Sequence, residues 1–327
     1  MKIIGNEDIQ QQMYVAVQSA RAQNRSIPHM IFAGAAGCGK TTMAKRLAEI
    51  AQTDFIRLLP DAIKKMDDVY SLFEGLDHRG YDKLGNRIAQ IKPAVVFIDE
   101  IHNLKILPQE WLGVAMENFA LEAKDGKYYW LPYFTLVGAT TNDGLLSKPF
   151  LDRFKMRFIF KQYSFDQSIQ IALVHAERLA VAIMGDAAEA IAKRGRGVPR
   201  IIVGYLERCR DTAIVHGEKV ITKEVVEDTF KLLGVDDTGL RETEIRLLRA
   251  LYNAGMPVGV ENLSIIINEA PKTIVSAIEP YLIQRGLIIR SGQGRILTEK
   301  GREYLEVREL GKEKFQKEAL PAGYVRR

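Results

Sequence analysis

Gly34-Ala35-Ala36-Gly37-Cys38-Gly39-Lys40-Thr41-Thr42 fits the pattern G-x-x-x-x-G-K-[ST], and its reading decides that of the rest of the chain. The glycines let the backbone curl until successive N–H groups and the following helix N-terminus point at one anion. That anion is the β-phosphate of a nucleoside triphosphate, with Lys40 reaching the β- and γ-phosphates and Thr41 holding Mg²⁺. All nine residues are therefore expected at the nucleotide. The flanks agree: Met30-Ile31-Phe32-Ala33 reads as a buried strand, and residues 43–51 repeat apolar side chains at helical spacing.

Two further strands end in polar groups. Ala94-Val95-Val96-Phe97-Ile98-Asp99-Glu100 places two acids after an apolar run, as expected of a central parallel strand whose C-terminal end meets the ligand. Asp99 is expected to organise Mg²⁺ through its water shell, and Glu100 to orient or deprotonate the attacking water. Phe134-Thr135-Leu136-Val137-Gly138-Ala139-Thr140-Thr141-Asn142 ends in hydroxyls that would lie beside the γ-phosphate. A lead-in helix through Ile9, Met13, Val17 and Ala20, a short strand at 54–59 and a helix at 67–76 complete an alternating α/β pattern.

Composition bounds the alternatives. The 327 residues suggest two or three domains, and 47% hydrophobic residues are ample for sizeable cores. No apolar run reaches the ~20 residues of a membrane span, and the N-terminal stretch carries no signal-peptide h-region, so the expected place is the cytoplasm. Cys38 and Cys209 are too few and too isolated for a disulfide framework or a zinc site. A formal charge of +5 permits a nucleic-acid partner.

Two segments stay open on their residues. Residues 77–92 read either as a substrate-contacting loop or as a solvated excursion. Lys124-Asp125-Gly126-Lys127 marks a hairpin whose Tyr128, Tyr129 and Trp130 form either a partner-binding face or a cross-strand aromatic cluster.

From 166 to 233 the pattern is helical, broken at Arg194-Gly195-Arg196-Gly197-Val198-Pro199-Arg200, where Pro199 suits a first helical turn. Residues 234–239 read as a linker. Beyond it come three helices, at about 245–252, 260–268 and 271–279. Two strands, Leu287-Ile288-Ile289-Arg290 and Arg295-Ile296-Leu297-Thr298, then flank a Gly-rich tip. That arrangement is a winged helix-turn-helix. Arg290 and Arg295 on the wing and Lys272 on the third helix are the candidate DNA contacts, suited to phosphates rather than base reading. A protein-binding winged helix is the other reading.

In this order the segments resemble the AAA+ ATPases, and among them the RuvB family of Holliday-junction branch-migration motors, over nearly the whole chain. Ile4-Gly5-Asn6 resembles that family's N-terminal Ile-Gly-Gln. Phe97 to His102 matches its Walker B, Gly138-Ala139-Thr140-Thr141 its sensor 1, and Arg196-Gly197-Val198-Pro199-Arg200 its sensor 2. Glu279-Pro280-Tyr281-Leu282-Ile283-Gln284-Arg285-Gly286 matches its winged-helix signature. The resemblance implies an α/β nucleotide domain (1–163) with a P-loop parallel sheet, a helical lid (164–238), a winged-helix domain (239–308) and a charged tail (309–327).

It further implies that Ile4 and Tyr163 border the nucleotide, that Thr141 senses the γ-phosphate and that Arg200 binds it. Arg153 would enter a neighbouring subunit's site as an arginine finger, in a ring that is a hexamer in the family. The implied cofactors are ATP and Mg²⁺. The implied partners are four-way or duplex DNA and a RuvA-type junction-binding protein. Departures are Ala35-Ala36 and Cys38 within the loop, Leu151 where the family has a first arginine, the extra segment within 77–92, and a hairpin shorter than the family's RuvA-docking one. Readings outside motor function are a clamp-loader- or initiator-like ATPase and an ATP-switched DNA-binding regulator.

Overall fold

The computed structural model describes residues 3–69, 71, 94–122, 128–131 and 133–318. Two compact units make up the chain, Met1–Ile221 and Thr222–Arg327.

The first unit is built on strands β1 (Met30–Gly34), β2 (Phe55–Leu58), β3 (Ala94–Ile98), β6 (Phe134–Thr140) and β7 (Met156–Phe160), parallel in the order β2-β3-β6-β1-β7. Strand alternation sorts their apolar side chains into two cores. Met30, Phe32, Val95, Phe97 and Val137 pack with α1 (Glu7–Ala22) and α2 (Lys40–Ala51), while Ile31, Val96, Ile98 and Leu136 pack with α3 (Ile106–Asn118). The central strands β3 and β6 are therefore buried along their whole length and β1 over Met30 to Phe32, as parallel strands between helices must be. The lead-in helix is α1, buried through Ile9, Met13, Val17 and Ala20.

The expected hairpin is present as β4 (Ala120–Glu122) antiparallel to β5 (Tyr128–Trp130), with Glu122 opposite Tyr128. Its Asp125-Gly126 tip, the segment 77–92 and most of the expected helix at 67–76 lie outside the described residues. The unit continues through α4 (Phe165–Arg178), whose Ser164 and Gln167 form a capping box, α5 (Gly185–Arg194) and α6 (Pro199–Val215). Pro199 opens α6 at its first turn, where its missing N–H costs nothing.

In the second unit, α7 (Lys223–Leu233) ends at Gly234 in the left-handed conformation. The stretch after it, expected as a linker, is tightly bonded. Asp236 Oδ1 accepts from Thr238 N, Thr238 Oγ1 and Leu240 N at 2.8–2.9 Å, while Oδ2 accepts from Tyr304 Oη and from Arg308 Nη1 at 3.1 Å. One carboxylate thus folds the turn and fastens it to the last helix.

Helices α8 (Glu242–Ala254), α9 (Val260–Ile267), α10 (Pro271–Thr273) and α11 (Glu279–Gln284) and strands β8 (Ile288–Ser291) and β9 (Gly294–Leu297) form the winged helix. The third helix, expected to stop near 279, instead passes through a π-helical turn at Ile274–Ile278 and runs on as α11. Pro280 explains the turn: a regular helix would drive its ring into the carbonyl four residues back, and one wider turn removes that clash. Val258 pairs with Arg295 through both backbone hydrogen bonds (3.0 and 2.9 Å), adding a third edge to the wing. Gly294 allows this approach; a Cβ there would lie 2.5 Å from the Val258 backbone. The last helix, α12, runs Glu299–Glu318, into the charged tail. Its Glu/Lys/Arg composition favours helix at that length.

Candidate nucleotide-binding site

The loop after β1 and the N-terminus of α2 form the floor of a cleft at the carboxyl edge of the sheet, where open α/β folds bind ligands. Ala36, Gly37, Gly39, Lys40, Thr41 and Thr42 line it, with Asp99 and Glu100 from the end of β3 and Arg200 from the start of α6. Its volume of about 580 Å³ lies in the range of small-molecule sites. Lys40 is buried, and its Nζ donates to Gly34 O (2.7 Å) and Ala35 O (3.0 Å), so the ammonium sits curled into the loop. Arg200 N donates to Gly37 O at 3.4 Å, which fixes the start of α6 against the phosphate-binding loop.

Glu100 takes up left-handed backbone (φ 49°, ψ 47°), a turn that swings its carboxylate toward the end of β6. There Thr141 Oγ1 donates to Glu100 Oε2 at 3.2 Å, and His102 Nδ1 lies 3.4 Å from the same oxygen and 2.9 Å from Thr140 Oγ1. The strand-end hydroxyl and the strand-end acid are thus in direct contact. Asp99 Oδ2 accepts from Arg57 Nη2 of β2 at 2.8 Å.

Tyr163 joins three parts of the unit. Its hydroxyl donates to Cys38 O (3.3 Å) and accepts from Asn6 Nδ2 (3.0 Å), and its N–H donates to Gly197 O (3.0 Å). Its ring lines a recess with Ile3, Ile4, Met43, Ile171, Val174 and His175, beside the phosphate cleft that His175 also borders. Burial lowers the His175 pKa, with Arg178 acting in the same sense and Glu207 opposing, so the ring is neutral at pH 7. Burial raises the Cys38 thiol above its usual range against the pull of Lys40, which leaves it protonated and inert.

Arg153 does not line the cleft. Its Nε donates to Gly113 O (3.0 Å), Nη1 to Pro149 O (2.5 Å) and Nη2 to Glu117 Oε2 (3.3 Å), which fixes it on α3. Leu151 packs against the core beneath α3, accounting for an apolar residue there.

On the wing, one expectation needs correcting. Arg290 and Arg295 are cross-strand partners on one face, and both turn to the buried carboxylate of Glu279. Arg295 is itself buried, bonding Glu279 through Nε (2.5 Å) and Nη2 (3.2 Å), so its charge belongs to the fold and not to a DNA surface. Arg290 reaches Glu279 at 3.5 Å with its side chain 54% exposed, and Lys272 is exposed on α10. Sequence reading missed Arg57, His102 and His175. His102 was visible as part of the Phe97 to His102 match, and Arg57 only through strand register.

Comparison with known proteins matches nearly the whole chain. The family model described as the Holliday junction DNA helicase RuvB P-loop domain matches residues 1–160, the RuvB AAA lid domain matches 163–236, and the RuvB C-terminal winged helix domain matches 237–306. The Holliday junction branch migration complex subunit RuvB of Wolbachia sp. subsp. Drosophila simulans is 35% identical over 311 residues, 93% of this chain and 92% of that protein. The subunit of the same name from Fervidobacterium nodosum is also 35% identical, over 92% of this chain and 86% of its own. The solved structure of the Thermotoga maritima RuvB Holliday junction branch migration motor superposes with a TM-score of 0.76 at 33% identity, covering 93% of this chain and 95% of that one. With family models over all three regions and relatives of this identity along nearly its whole length, the chain belongs to the RuvB Holliday junction DNA helicase family.

Proposed function

We propose that this chain is an ATP-dependent DNA motor that drives branch migration of four-way junctions as a ring of subunits, the incomplete site of each copy being completed by the next.

 The observation that carries this reading is the division of the catalytic groups. Lys40, Thr41, Asp99, Glu100 and Arg200 gather at one cleft, while Arg153, the remaining cation of the expected set, is fastened to α3 away from it. An arginine fixed there serves the cleft of an adjacent copy, so one subunit holds only part of a complete site.

Within the cleft, the loop N–H groups and Lys40 would bind the β- and γ-phosphates, and Arg200 would hold the γ-phosphate from α6. Ile4 and Tyr163 would border the base. Glu100 would take a proton from the attacking water, oriented by its contact with Thr141. The donor set fits Mg²⁺: a hydroxyl (Thr41) and a carboxylate (Asp99) face the cleft, and among the described residues no cluster of three or more His, Cys, Asp or Glu forms an all-protein metal cage. Held by Thr41 and, through its water shell, by Asp99, Mg²⁺ would supply positive charge that offsets the charge of the phosphates. Phosphate contacts to DNA fall to Arg290 and Lys272, the exposed cations of the expected trio. The working domains are those expected from the sequence, 1–163, 164–238 and 239–308.

The test is a synthetic four-way junction incubated with the protein, ATP and Mg²⁺, with and without a RuvA-type partner. Resolution into two duplex products that requires ATP and is absent with Glu100→Gln supports the reading. Normal ATP turnover with no junction movement in either arm would favour a clamp-loader-like role instead.

A further inference from the structure

Asp99 has a partner that the phosphate-binding machinery does not require. On β2, strand alternation puts Phe55 and Arg57 on one face, and the parallel register sets them beside Val95 and Phe97 of β3. Phe55 stacks on Phe97 with ring centroids 5.8 Å apart, and both belong to the core shared with α2, so this face looks toward the phosphate-binding side of the sheet. Arg57 extends past Phe97 to the end of β3, where Nη2 meets Asp99 Oδ2 at 2.8 Å. Asp99 borders the phosphate cleft. The pair is open to water, with the Arg57 side chain 53% and the Asp99 side chain 23% exposed, so it can be exchanged at small cost.

We propose that Arg57 is a built-in counter-cation for Asp99. It occupies the carboxylate while no divalent cation is present and yields it when one arrives with nucleotide, and it thereby sets how much Mg²⁺ the protein needs. The inference rests on the nucleotide-site reading above. Its physical basis is competition: an oxygen that accepts a hydrogen bond from a guanidinium must give up that contact before it can order the water shell of Mg²⁺. Lys40 follows the same logic, its ammonium satisfied by the carbonyls of Gly34 and Ala35. Lys40, Asp99 and Glu100 thus each have a protein partner within the cleft.

The test reads binding, not turnover. Affinity for a fluorescent ADP analogue is measured first in excess EDTA and then across a Mg²⁺ titration, for the parent, Arg57→Gln and Arg57→Lys. Arg57→Gln should reach half of the Mg²⁺ effect at about 2- to 5-fold lower Mg²⁺, the scale of an exposed ion pair, while Arg57→Lys stays near the parent. In an Asp99→Asn background the Arg57 substitution should change nothing. An unchanged or higher Mg²⁺ midpoint for Arg57→Gln overturns the proposal, as does an effect that persists without the Asp99 charge. Failure of the parent to bind the analogue under any condition overturns the nucleotide-site reading and this inference together.

Discussion

Two side chains of opposite burial share Glu279, and substituting each has a different consequence. Arg295→Ala leaves a carboxylate that is 1% exposed without its bidentate partner, which costs about 3–5 kcal/mol and unfolds or loosens the winged helix. Arg290→Ala removes an exposed charge, so thermal stability stays within about 1 kcal/mol of the parent while DNA affinity falls equally across sequences and its salt dependence flattens. Thermal melts and salt-titrated DNA binding distinguish the two; equal melting points for both variants would contradict the assignment.

His29 sets a pH limit on the first unit. Its Nδ1 accepts from Leu136 N (2.9 Å), its Nε2 lies 3.1 Å from Met116 O, and burial pushes its pKa down to about 4. Between pH 4 and 6.5 the unfolded chain carries a proton on this ring that the folded chain does not, so stability rises with pH through that window. The contribution is whole above pH 6.5 and is lost as pH falls toward 4, roughly 3 kcal/mol in all. His29→Gln, which can keep both hydrogen bonds, should flatten the denaturation midpoint between pH 6.5 and 4. A pH profile identical to the parent's would remove His29 from the account.

At the scale of elements, α3 positions Arg153 through a single missing side chain. A Cβ on Gly113 would lie 2.9 Å from Arg153 Nε, so the guanidinium rests in space that only glycine leaves. Alanine in a helix interior is favoured over glycine by about 1 kcal/mol. Gly113→Ala should therefore keep or raise stability and leave nucleotide affinity intact, yet lower ATP turnover by displacing Arg153. Unchanged turnover would show that the seat of Arg153 on α3 is immaterial.

The strands and the loop they carry were legible because their signals are local: apolar runs, glycine spacing and acids or hydroxyls at strand ends. The seat of Arg153 was not, since it depends on a glycine 40 residues earlier in the chain. Arg295 was misassigned for a related reason. Its place on a basic wing is visible in sequence, but its buried partner lies on another element, 16 residues away. The π turn before Pro280 and the bonded turn at Asp236 likewise arise from tertiary fit, which no short window contains.

For the whole molecule, the proposed function requires a site shared between copies. In the proposed ring, each chain would contribute a cleft with Lys40, Asp99, Glu100 and Arg200 and, from Arg153 on α3, a cation for a neighbour's cleft. Such a site has a definite signature when subunits are mixed. Arg153→Ala chains should bind ATP as the parent does, since none of their own cleft is altered, and should disable the parent subunit they adjoin. The direct measurement is ATP turnover by parent and Arg153→Ala chains mixed at constant total concentration. The account predicts activity that falls more steeply than the parent fraction; activity strictly proportional to that fraction would contradict it.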